Sequence, residues 1–392
     1  MALPDWEIGR ALGIPIRIHA SWFLVFFFMS WTLATGYLPD ALPGLSHERY
    51  WGMGAVAALL LFLSVLLHEL GHSYVAKRYH IPIAQITLFI FGGVAHMGKE
   101  PPHPRAEFLI AIAGPAVSFV LGVLCLTLAM TADTVFPGPS VRGFVVLGGL
   151  LGMVNVQLGL FNLIPGFPLD GGRMLRAGLW AWSKNLYRAT GHAAMFGLWC
   201  GVLFCLIGAW IVGESLFGGG EQSVAGNGGW LLFIGAFLFS AAWNARKQAS
   251  LRMALEATTV EEVMVRTPLV IPSHLTVRAA VDDYFVAHGF SGFPVAEGDS
   301  VTGVITVDDL QRVPQALWDW RTVRDVMSPA SPDLFVTRDR TVKQALDRMA
   351  RTGRDRLVVM EEERPVGLIT QSSVVTFFQL HRNGRAQKKP DT

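Results

Sequence analysis

Long runs of apolar residues alternate with short polar segments over the first 245 residues of the chain. A helix needs about 20 mostly apolar residues to cross a lipid bilayer. The shortest run of suitable length has 17 residues and continues directly into the sequence HELGH at residues 68–72. The pattern predicts about six transmembrane helices, at Ala20–Pro39, Trp51–Leu67, Phe108–Ala132, Gly143–Leu169, Ala193–Gly213 and Gln222–Ala245.

A further apolar segment, Ile81–Met97, is too short to span a membrane. It is rich in β-branched and aromatic residues and is broken by Gly92-Gly93. We expect a membrane-embedded, hairpin-like β segment, which is tolerable where protein covers its edges. An interfacial loop agrees equally well with the sequence.

The polar positions divide the chain into two parts. Residues 1–245 carry 12 Lys and Arg and 11 Asp and Glu, whereas the 147 residues that follow carry 20 and 19. Only 16% of all residues are charged and 52% are hydrophobic, against about 25% charged residues in soluble proteins. These values predict a multi-span α-helical membrane protein, with a transmembrane domain at 1–245, a linker at 246–257 and a soluble α/β module. The net charge of +2 argues against a nucleic-acid-binding protein.

Basic residues in the segments between the runs indicate the orientation of the protein. With the N-terminus in the cytoplasm, ten Lys and Arg residues fall on the inner side and only Arg49 and Arg142 on the outer side. Short cytoplasmic loops are enriched in basic residues. We therefore expect a multi-pass protein of the cell membrane with both termini and the soluble module in the cytoplasm.

The sequence HELGH carries the first candidate chemistry. His68 and His72 are four residues apart, so in a helix both lie on one face. Two imidazoles at this spacing can bind one zinc ion, and Glu69 beside them can act as a general base. Ionisable side chains at the end of an apolar run are costly in lipid, which favours a functional role. The alternative is a helix end whose polar side chains reach the membrane surface.

A third candidate ligand follows the fourth apolar run. Catalytic zinc sites normally have three protein ligands. Residues 162–173 read NLIPGFPLDGGR, in which the two prolines break the helix and Gly171-Gly172 are expected to turn the chain. Asp170 is therefore expected on a non-helical segment at membrane depth. Alone, it agrees equally well with a turn carboxylate at the membrane surface.

HELGH in one span together with NLIPGFPLDGGR in a later one resembles the site-2 protease family of intramembrane zinc metalloproteases. The resemblance implies a core of the second, third and fourth spans and one zinc ion per chain. It implies that His68, His72 and Asp170 are the zinc ligands. It further implies that Glu69 is the catalytic base and that Asn162 helps to hold the substrate or the oxyanion. The substrate would be a membrane protein that is cleaved within or near a transmembrane helix.

The soluble part contains an internal repeat. The pattern V-x-x-V-M at residues 260–264 returns at residues 323–327, and GVITVDD at 303–309 returns as GLITQSS at 367–373. Amphipathic helix patterns alternate with short strands in each copy. We predict a duplicated module with copies at 258–317 and 318–380 and a disordered tail at 381–392.

The order of elements in the two copies resembles a pair of CBS domains. The resemblance implies an adenine nucleotide (ATP, ADP or AMP) bound between the repeats by a Thr and an Asp. Copy one keeps Thr306 and Asp309, whereas copy two keeps Thr370 but has Ser373 in place of the acid. We therefore expect one nucleotide site, carried mainly by copy one. The alternative is a purely structural module, or one through which two copies of the chain form a homodimer.

These features lead to three interpretations of the whole chain. The first is an intramembrane zinc protease regulated by a CBS pair. The second is a CBS-gated channel or transporter, although a permeation path does not require HExxH with a distant Asp. The third is a catalytically inactive relative, which the presence of all four chemical residues argues against.

Overall fold

The computed structural model describes residues 4–90, 92–217, 222–266, 268–298, 300–362 and 364–387. The chain divides into two units, residues 1–250 and residues 251–392. This division follows the change in charge density along the sequence.

The apolar runs of the first unit form long helices. A π-helical turn, Leu33–Tyr37, joins the first two helices into one continuous segment, Ser21–Ala41. Within the described residues, six helical segments are long and apolar enough to cross a membrane, and the predicted number of spans is confirmed. The helices are α1 (Ser21–Thr32), α2 (Leu38–Ala41), α3 (His47–Arg78), α4 (Pro104–Val135), α5 (Pro139–Asn162), α6 (Asp170–Ser183), α7 (Leu186–Phe217) and α8 (Gln222–Ala257).

The fourth span is shorter than its apolar run. Helix α5 ends at Asn162, and an irregular segment with Pro165 and Pro168 follows it, as expected for residues that cannot continue a helix. The prediction of a non-helical position for Asp170 is wrong, because Asp170 is the first residue of α6.

Gly171 and Gly172 lie inside the first turn of α6 and do not turn the chain. A methyl group on Gly171 would overlap the carbonyl oxygen of Leu163, and one on Gly172 would overlap the backbone of Gly166. The two glycines therefore allow α6 to lie directly against the segment that follows α5. Their role is close packing, which the sequence alone does not distinguish from a turn.

The segment Ile81–Met97 forms the hairpin expected from its residues. Strands β3 (Ile83–Phe89) and β4 (Gly92–Met97) pair antiparallel. They belong to a four-stranded sheet in the order β1-β2-β3-β4, which begins with β1 (Asp5–Ala11) and β2 (Ile14–His19). Within this sheet β4 is an edge strand, so one side of its backbone is open to pairing.

The two faces of this sheet differ in polarity. On one face Ile86 and Leu88 are buried, and Leu88 packs in a cluster with Trp22 of α1. The opposite face carries Arg17, whose Nη1 atom lies 3.3 Å from a carboxylate oxygen of Asp5. The sheet thus packs on the apolar helices with one side only, and the depth of its hairpin in a membrane stays a prediction.

Helix α4 packs against both α3 and α5. A methyl group on Gly71 of α3 would lie 2.9 Å from a methyl carbon of Val117, and one on Gly122 of α4 would lie 2.7 Å from a methyl carbon of Val156. Small residues allow such close approach between helices in a membrane. The three helices correspond to the second, third and fourth predicted spans.

The second unit contains short elements in two similar series, which confirms the predicted duplication of an α/β module. Helix α10 of the first series continues as a π-helical turn, Val281–Val286. The first series is α9 (Val260–Val263), β5 (Val265–Arg266), β6 (Ile271–Pro272), α10 (Val277–Ala280), β7 (Gly292–Glu297), β8 (Ser300–Thr306) and α11 (Val307–Gln311). The second is α12 (Val323–Val326), β9 (Ser328–Pro329), β10 (Phe335–Thr337), α13 (Val342–Thr352), β11 (Arg356–Glu361), β12 (Arg364–Thr370) and α14 (Gln371–Gln387).

Each series completes its sheet with a strand from the other. The sheets have the orders β6-β7-β8-β9 and β10-β11-β12-β5, so β5 pairs with β12 and β9 pairs with β8. Val260 and Val263 lie in the core of the second series, and Val323 lies in the core of the first. The predicted boundary between residues 317 and 318 therefore does not separate the two series in space.

The segments that flank the repeat are helical. Residues 246–257, predicted as a linker, form the C-terminal part of α8. Helix α14 continues to Gln387, so the first residues of the predicted disordered tail are helical instead. Residues 388–392 lie outside the described residues.

Candidate metal centre and the cavity of the second unit

Two histidines of α3 and the first residue of α6 converge at one point. Oδ2 of Asp170 lies 3.1 Å from Nε2 of His68 and 3.1 Å from Nε2 of His72. The two Nε2 atoms are also 3.1 Å apart, and all three side chains are buried. Among the residues that the structure describes, this is the one group of His, Cys, Asp and Glu side chains placed to share a metal ion.

The donor set fits a zinc ion. Donor atoms at about 2.0–2.2 Å from tetrahedral zinc lie about 3.3 Å from one another, close to the separations of 3.1 Å found here. Nδ1 of His72 lies 2.6 Å from the carbonyl oxygen of Ile110, which can only accept a hydrogen bond, so Nδ1 carries the hydrogen. Nε2 of the neutral ring then presents a lone pair to the Asp170 carboxylate. This contact is repulsive unless a proton or a cation lies between the two atoms.

Helix α4 orients both imidazole rings. Ile110 accepts the hydrogen bond from His72, and Oγ of Ser118 lies 2.9 Å from Nδ1 of His68. Gly114 lies midway between them on the same helix face, and a methyl group there would overlap Nε2 of both histidines. Three residues spaced by four positions on α4 therefore define the space in which the two rings lie. Sequence reasoning missed Ser118 and the Ile110 carbonyl, because neither carries a signal in the sequence.

Glu69 lies between the histidine face of α3 and strand β4. Its carboxylate interacts electrostatically with both histidines and with Asp170. A methyl group on Gly93 of β4 would lie 2.6 Å from Cγ of Glu69. The edge strand can therefore lie directly beside this side chain only because residue 93 is glycine.

Asn162 is placed at the C-terminal end of α5. Its Nδ2 atom donates a hydrogen bond to the carbonyl oxygen of Leu158, 3.0 Å away within the same helix. In the described part of the chain no hydrogen bond joins Asn162 to His68, His72 or Asp170. Its role in holding the substrate or the oxyanion stays a prediction.

A cavity of about 440 Å³ lies between the two series of the second unit and is lined by Thr306 and Asp309. Both residues cap helix α11: Oγ1 of Thr306 donates to Oδ2 of Asp309 at 2.7 Å, and the same oxygen accepts from the Thr306 backbone at 3.0 Å. The other carboxylate oxygen, Oδ1, lies 3.4 Å from Oγ of Ser328, which also lines the cavity. The repeated segment GVITVDD at residues 303–309, which contains Thr306 and Asp309, thus forms a helix cap at the edge of a cavity.

Thr370 is placed differently. Its Oγ1 atom accepts a hydrogen bond from the backbone of Ser373 at 3.0 Å, and its own backbone donates to Oγ of Ser373 at 3.1 Å. Ser373 therefore replaces the capping function of the acid in copy two. Among the described residues that line the cavity, Thr370 does not occur, and its part in nucleotide binding stays a prediction.

Basic residues of copy two complete the cavity. Arg354 and Arg356, with the acidic Asp355 between them in sequence, also line it. Arg356 is only 4% exposed, and its Nη2 atom donates to Oγ of Ser291 at 2.9 Å. Its guanidinium also donates to the Asp355 carboxylate and holds the pKa of that carboxyl below its ordinary value. Sequence reasoning missed this cluster, in which Arg356 is the first residue of β11.

Comparison with known proteins connects both units to families. The profile of peptidase family M50 matches residues 56–138 and 133–208, and the CBS domain profile matches residues 260–315 and 323–379. The chain is 34% identical to the protein Rip3 of Mycobacterium tuberculosis over 390 residues, which cover 98% of this chain and 94% of that protein. The chain belongs to peptidase family M50.

Two further relatives agree with this membership. A zinc metalloprotease of Methanocaldococcus jannaschii is 30% identical over 369 residues, 94% of each chain. A relative in Synechocystis is 36% identical over 378 residues, 95% of each chain.

Among solved structures, the CBS domain of a bacterial CNNM/CorC family Mg²⁺ transporter is similar to the second unit. It is 24% identical, the match covers 32% of this chain and 76% of that chain, and the TM-score is 0.29.

Family membership confirms the expected class of protein. The chain is a multi-span M50 metalloprotease of the site-2 protease type that carries a pair of CBS domains. The segments with HELGH and with Asp170 both lie within the matched residues.

Proposed function

We propose that this chain is an intramembrane protease in which His68, His72 and Asp170 hold one zinc ion. It hydrolyses a peptide bond within or near a transmembrane helix of a membrane-protein substrate. The observation that carries this proposal is the convergence of three buried donor atoms from α3 and α6. Two of the residues, His72 and Asp170, are 98 residues apart in sequence. A channel or transporter has no need of such a donor set.

The residues around the donor atoms support a hydrolytic mechanism. A zinc ion held by His68, His72 and Asp170 would supply a Lewis acid for the peptide carbonyl and for activation of water. Glu69 takes the proton of the attacking water as the new carbon–oxygen bond forms. It then gives this proton to the peptide nitrogen as the carbon–nitrogen bond breaks, which leaves a carboxylate and an amine. Asn162 uses one amide hydrogen on Leu158, and its second is available to an oxyanion.

The substrate segment is proposed to lie extended beside β4. A helical peptide bond is hindered and hydrogen-bonded, so the helix must unwind near the scissile bond. Edge strands bind extended peptides through main-chain hydrogen bonds, and β4 is an edge strand whose Gly93 lies against Glu69. This arrangement would bring an added strand next to the general base. We further propose that both termini are cytoplasmic and that water reaches the site from that side.

The cavity of the second unit is proposed to bind one adenine nucleotide. The guanidinium group of Arg354 suits phosphate oxygens, and the carboxylate of Asp309 suits ribose hydroxyls. Both kinds of group line one cavity, whereas Thr370 of copy two does not line it. Only copy one has an acid at this position of the repeated segment, Asp309, and that acid lines the described cavity. Both observations support one site per chain. Its occupancy would regulate proteolysis by favouring one arrangement of the chain over another.

The experiment that tests the protease proposal combines metal content with cleavage. Full-length protein purified in detergent is expected to hold about one zinc ion per chain. His68→Ala, His72→Ala and Asp170→Ala should each remove most of it. Glu69→Gln should keep the zinc and lose cleavage of a test substrate with one transmembrane helix, because only the general base is removed. Full zinc content in Asp170→Ala, or cleavage by Glu69→Gln, contradicts the assignment.

A further inference from the structure

A buried ion pair joins helices α4 and α6 outside the donor cluster. Glu107 of α4 is fully buried, and its Oε1 atom accepts a hydrogen bond from Nε of Arg176 on α6 at 2.5 Å. The side chain of Arg176 is 11% exposed, and its guanidinium lies 5.3 Å from the ring centre of Phe167, in the segment before α6. One arginine thus connects α4, α6 and the segment that leads into α6.

The two helices joined by this pair carry different parts of the metal centre. Glu107 lies three residues before Ile110 on α4, the helix that orients the histidine rings. Arg176 lies six residues after Asp170, which is about 9 Å along the axis of α6. The pair therefore connects the helix that fixes the rings to the helix that carries the carboxylate.

Close packing alone does not determine where the Asp170 carboxylate points. Gly171 and Gly172 hold only the first turn of α6 against the preceding segment, so rotation about the helix axis also depends on contacts farther along the helix. A charged hydrogen bond of defined direction does restrain that rotation. Stability is a weak reason for this pair, because desolvation offsets the attraction between buried charges. Consistent with this, the second oxygen of Glu107 has no hydrogen-bond partner among the described residues.

We infer that Glu107 and Arg176 are a positioning pair, which holds Asp170 in register with the two histidines. This inference rests on the proposed function, because it takes Asp170 as a zinc ligand. Within the described part of the chain, no hydrogen bond or ion pair joins either residue to the donor atoms. Their effect on zinc affinity acts through Asp170.

The experiment measures the zinc dissociation constant of full-length, detergent-purified protein by competition with a chromophoric chelator. Four proteins are compared: the native chain, Glu107→Met/Arg176→Met, Asp170→Ala and the triple variant. The double substitution removes both charges at once, so that no unpaired buried charge remains. It is expected to weaken zinc binding by about 10- to 100-fold, the range for residues that orient metal ligands. In the Asp170→Ala background the same double substitution should cause no further weakening.

The control pair is Glu7→Gln/Arg10→Gln, which removes an exposed ion pair of β1 and should leave the zinc affinity unchanged. Arg176→Lys, which keeps the charge but not the direction of the hydrogen bonds, should fall between the native chain and the double variant. If the double variant does not fold, Arg176→Lys is compared in the two backgrounds instead. Native affinity in the double variant, or weakening that adds to that of Asp170→Ala, overturns the positioning role. If Asp170→Ala itself binds zinc normally, the proposed ligand set fails. This result differs from the two results that overturn the positioning role, so the two failures can be told apart.

Discussion

Oγ of Ser118 lies 2.9 Å from Nδ1 of His68, on the opposite side of the imidazole ring from the nitrogen that faces Asp170. When Nδ1 donates to this hydroxyl, Nε2 presents its lone pair to the donor cluster. Ile110 does the same for His72 through its carbonyl oxygen. The orientation of the two rings on α3 is therefore determined by α4, a helix that contributes no donor atom of its own.

Replacing Ser118 tests this dependence. Ser118→Ala is expected to lower the zinc affinity by about 10- to 100-fold, because the ring of His68 loses the partner that fixes its tautomer. The measurement is chelator competition on the purified full-length protein. The matched control is Ser73→Ala: Ser73 is equally buried on α3, but its hydroxyl has no hydrogen-bond partner among the described residues. Equal zinc affinities in the two variants would remove Ser118 from this role.

A methyl group at Gly114 tests the space between the rings. Gly114→Ala would overlap Nε2 of both histidines, and such overpacking costs about 1–3 kcal/mol. We expect the zinc affinity to fall by about 10- to 100-fold at this cost. Gly149→Ala on α5, where a methyl group meets no atom within 4 Å, is the control and should be neutral or slightly stabilising. Normal zinc binding by Gly114→Ala would show that the rings do not occupy this position.

The sequence predicts one part of this centre and leaves another part open. The helical period places His68 and His72 on one face, because four residues are close to one turn. No spacing rule brings Asp170 to them; that expectation came from resemblance to a family. The sequence suggests a turn at Gly171-Gly172, since glycine is common in turns, but only the tertiary packing shows that both glycines lie inside a helix. For the same reason Ser118 could not be predicted as a partner of His68.

The orientation of the chain is tested by reporter fusions. The excess of basic residues on one side predicts that a reporter fused after Thr392 or before Met1 reads cytoplasmic. One inserted near Gly138, between α4 and α5, should read external. An external reading after Thr392 would contradict the six-span arrangement and the cytoplasmic position of the CBS pair.

The nucleotide proposal is tested by replacing Asp309 with serine, the residue found at the corresponding position, Ser373, in copy two. Asp309→Ala removes the carboxylate and both hydrogen bonds that it accepts from Thr306 in the helix cap. Asp309→Ser removes the carboxylate but can keep the cap, as Ser373 does for α14. Calorimetric titration of ATP, ADP and AMP into the full-length protein should show one site per chain that Asp309→Ser weakens by about tenfold or more, the effect of losing one charged hydrogen bond.

Ser373→Ala is the matched control for that titration. It alters the corresponding cap of copy two and should leave nucleotide affinity unchanged. Two equal sites per chain, or native affinity in Asp309→Ser, would contradict a site carried by copy one. The absence of binding to any nucleotide would favour a structural role for the module. The sequence pattern predicted Asp309 for this cavity but not Arg356, because the approach of copy two to copy one is set by the packing of their sheets.

The strands exchanged between the two series have a consequence for synthesis of the chain. Strand β5 leaves the ribosome roughly 100 residues before its partner β12, and β8 must wait for β9 of the following copy. Pairings so distant in sequence form slowly. The first sheet can close once β9 has been made, whereas the sheet that contains β5 can close only after β12, when almost the whole chain has been translated and the preceding helices have already been made. A ribosome that stops between β9 and β12 therefore leaves the second sheet open, with β5 as an unpaired strand available to aggregation or proteolysis.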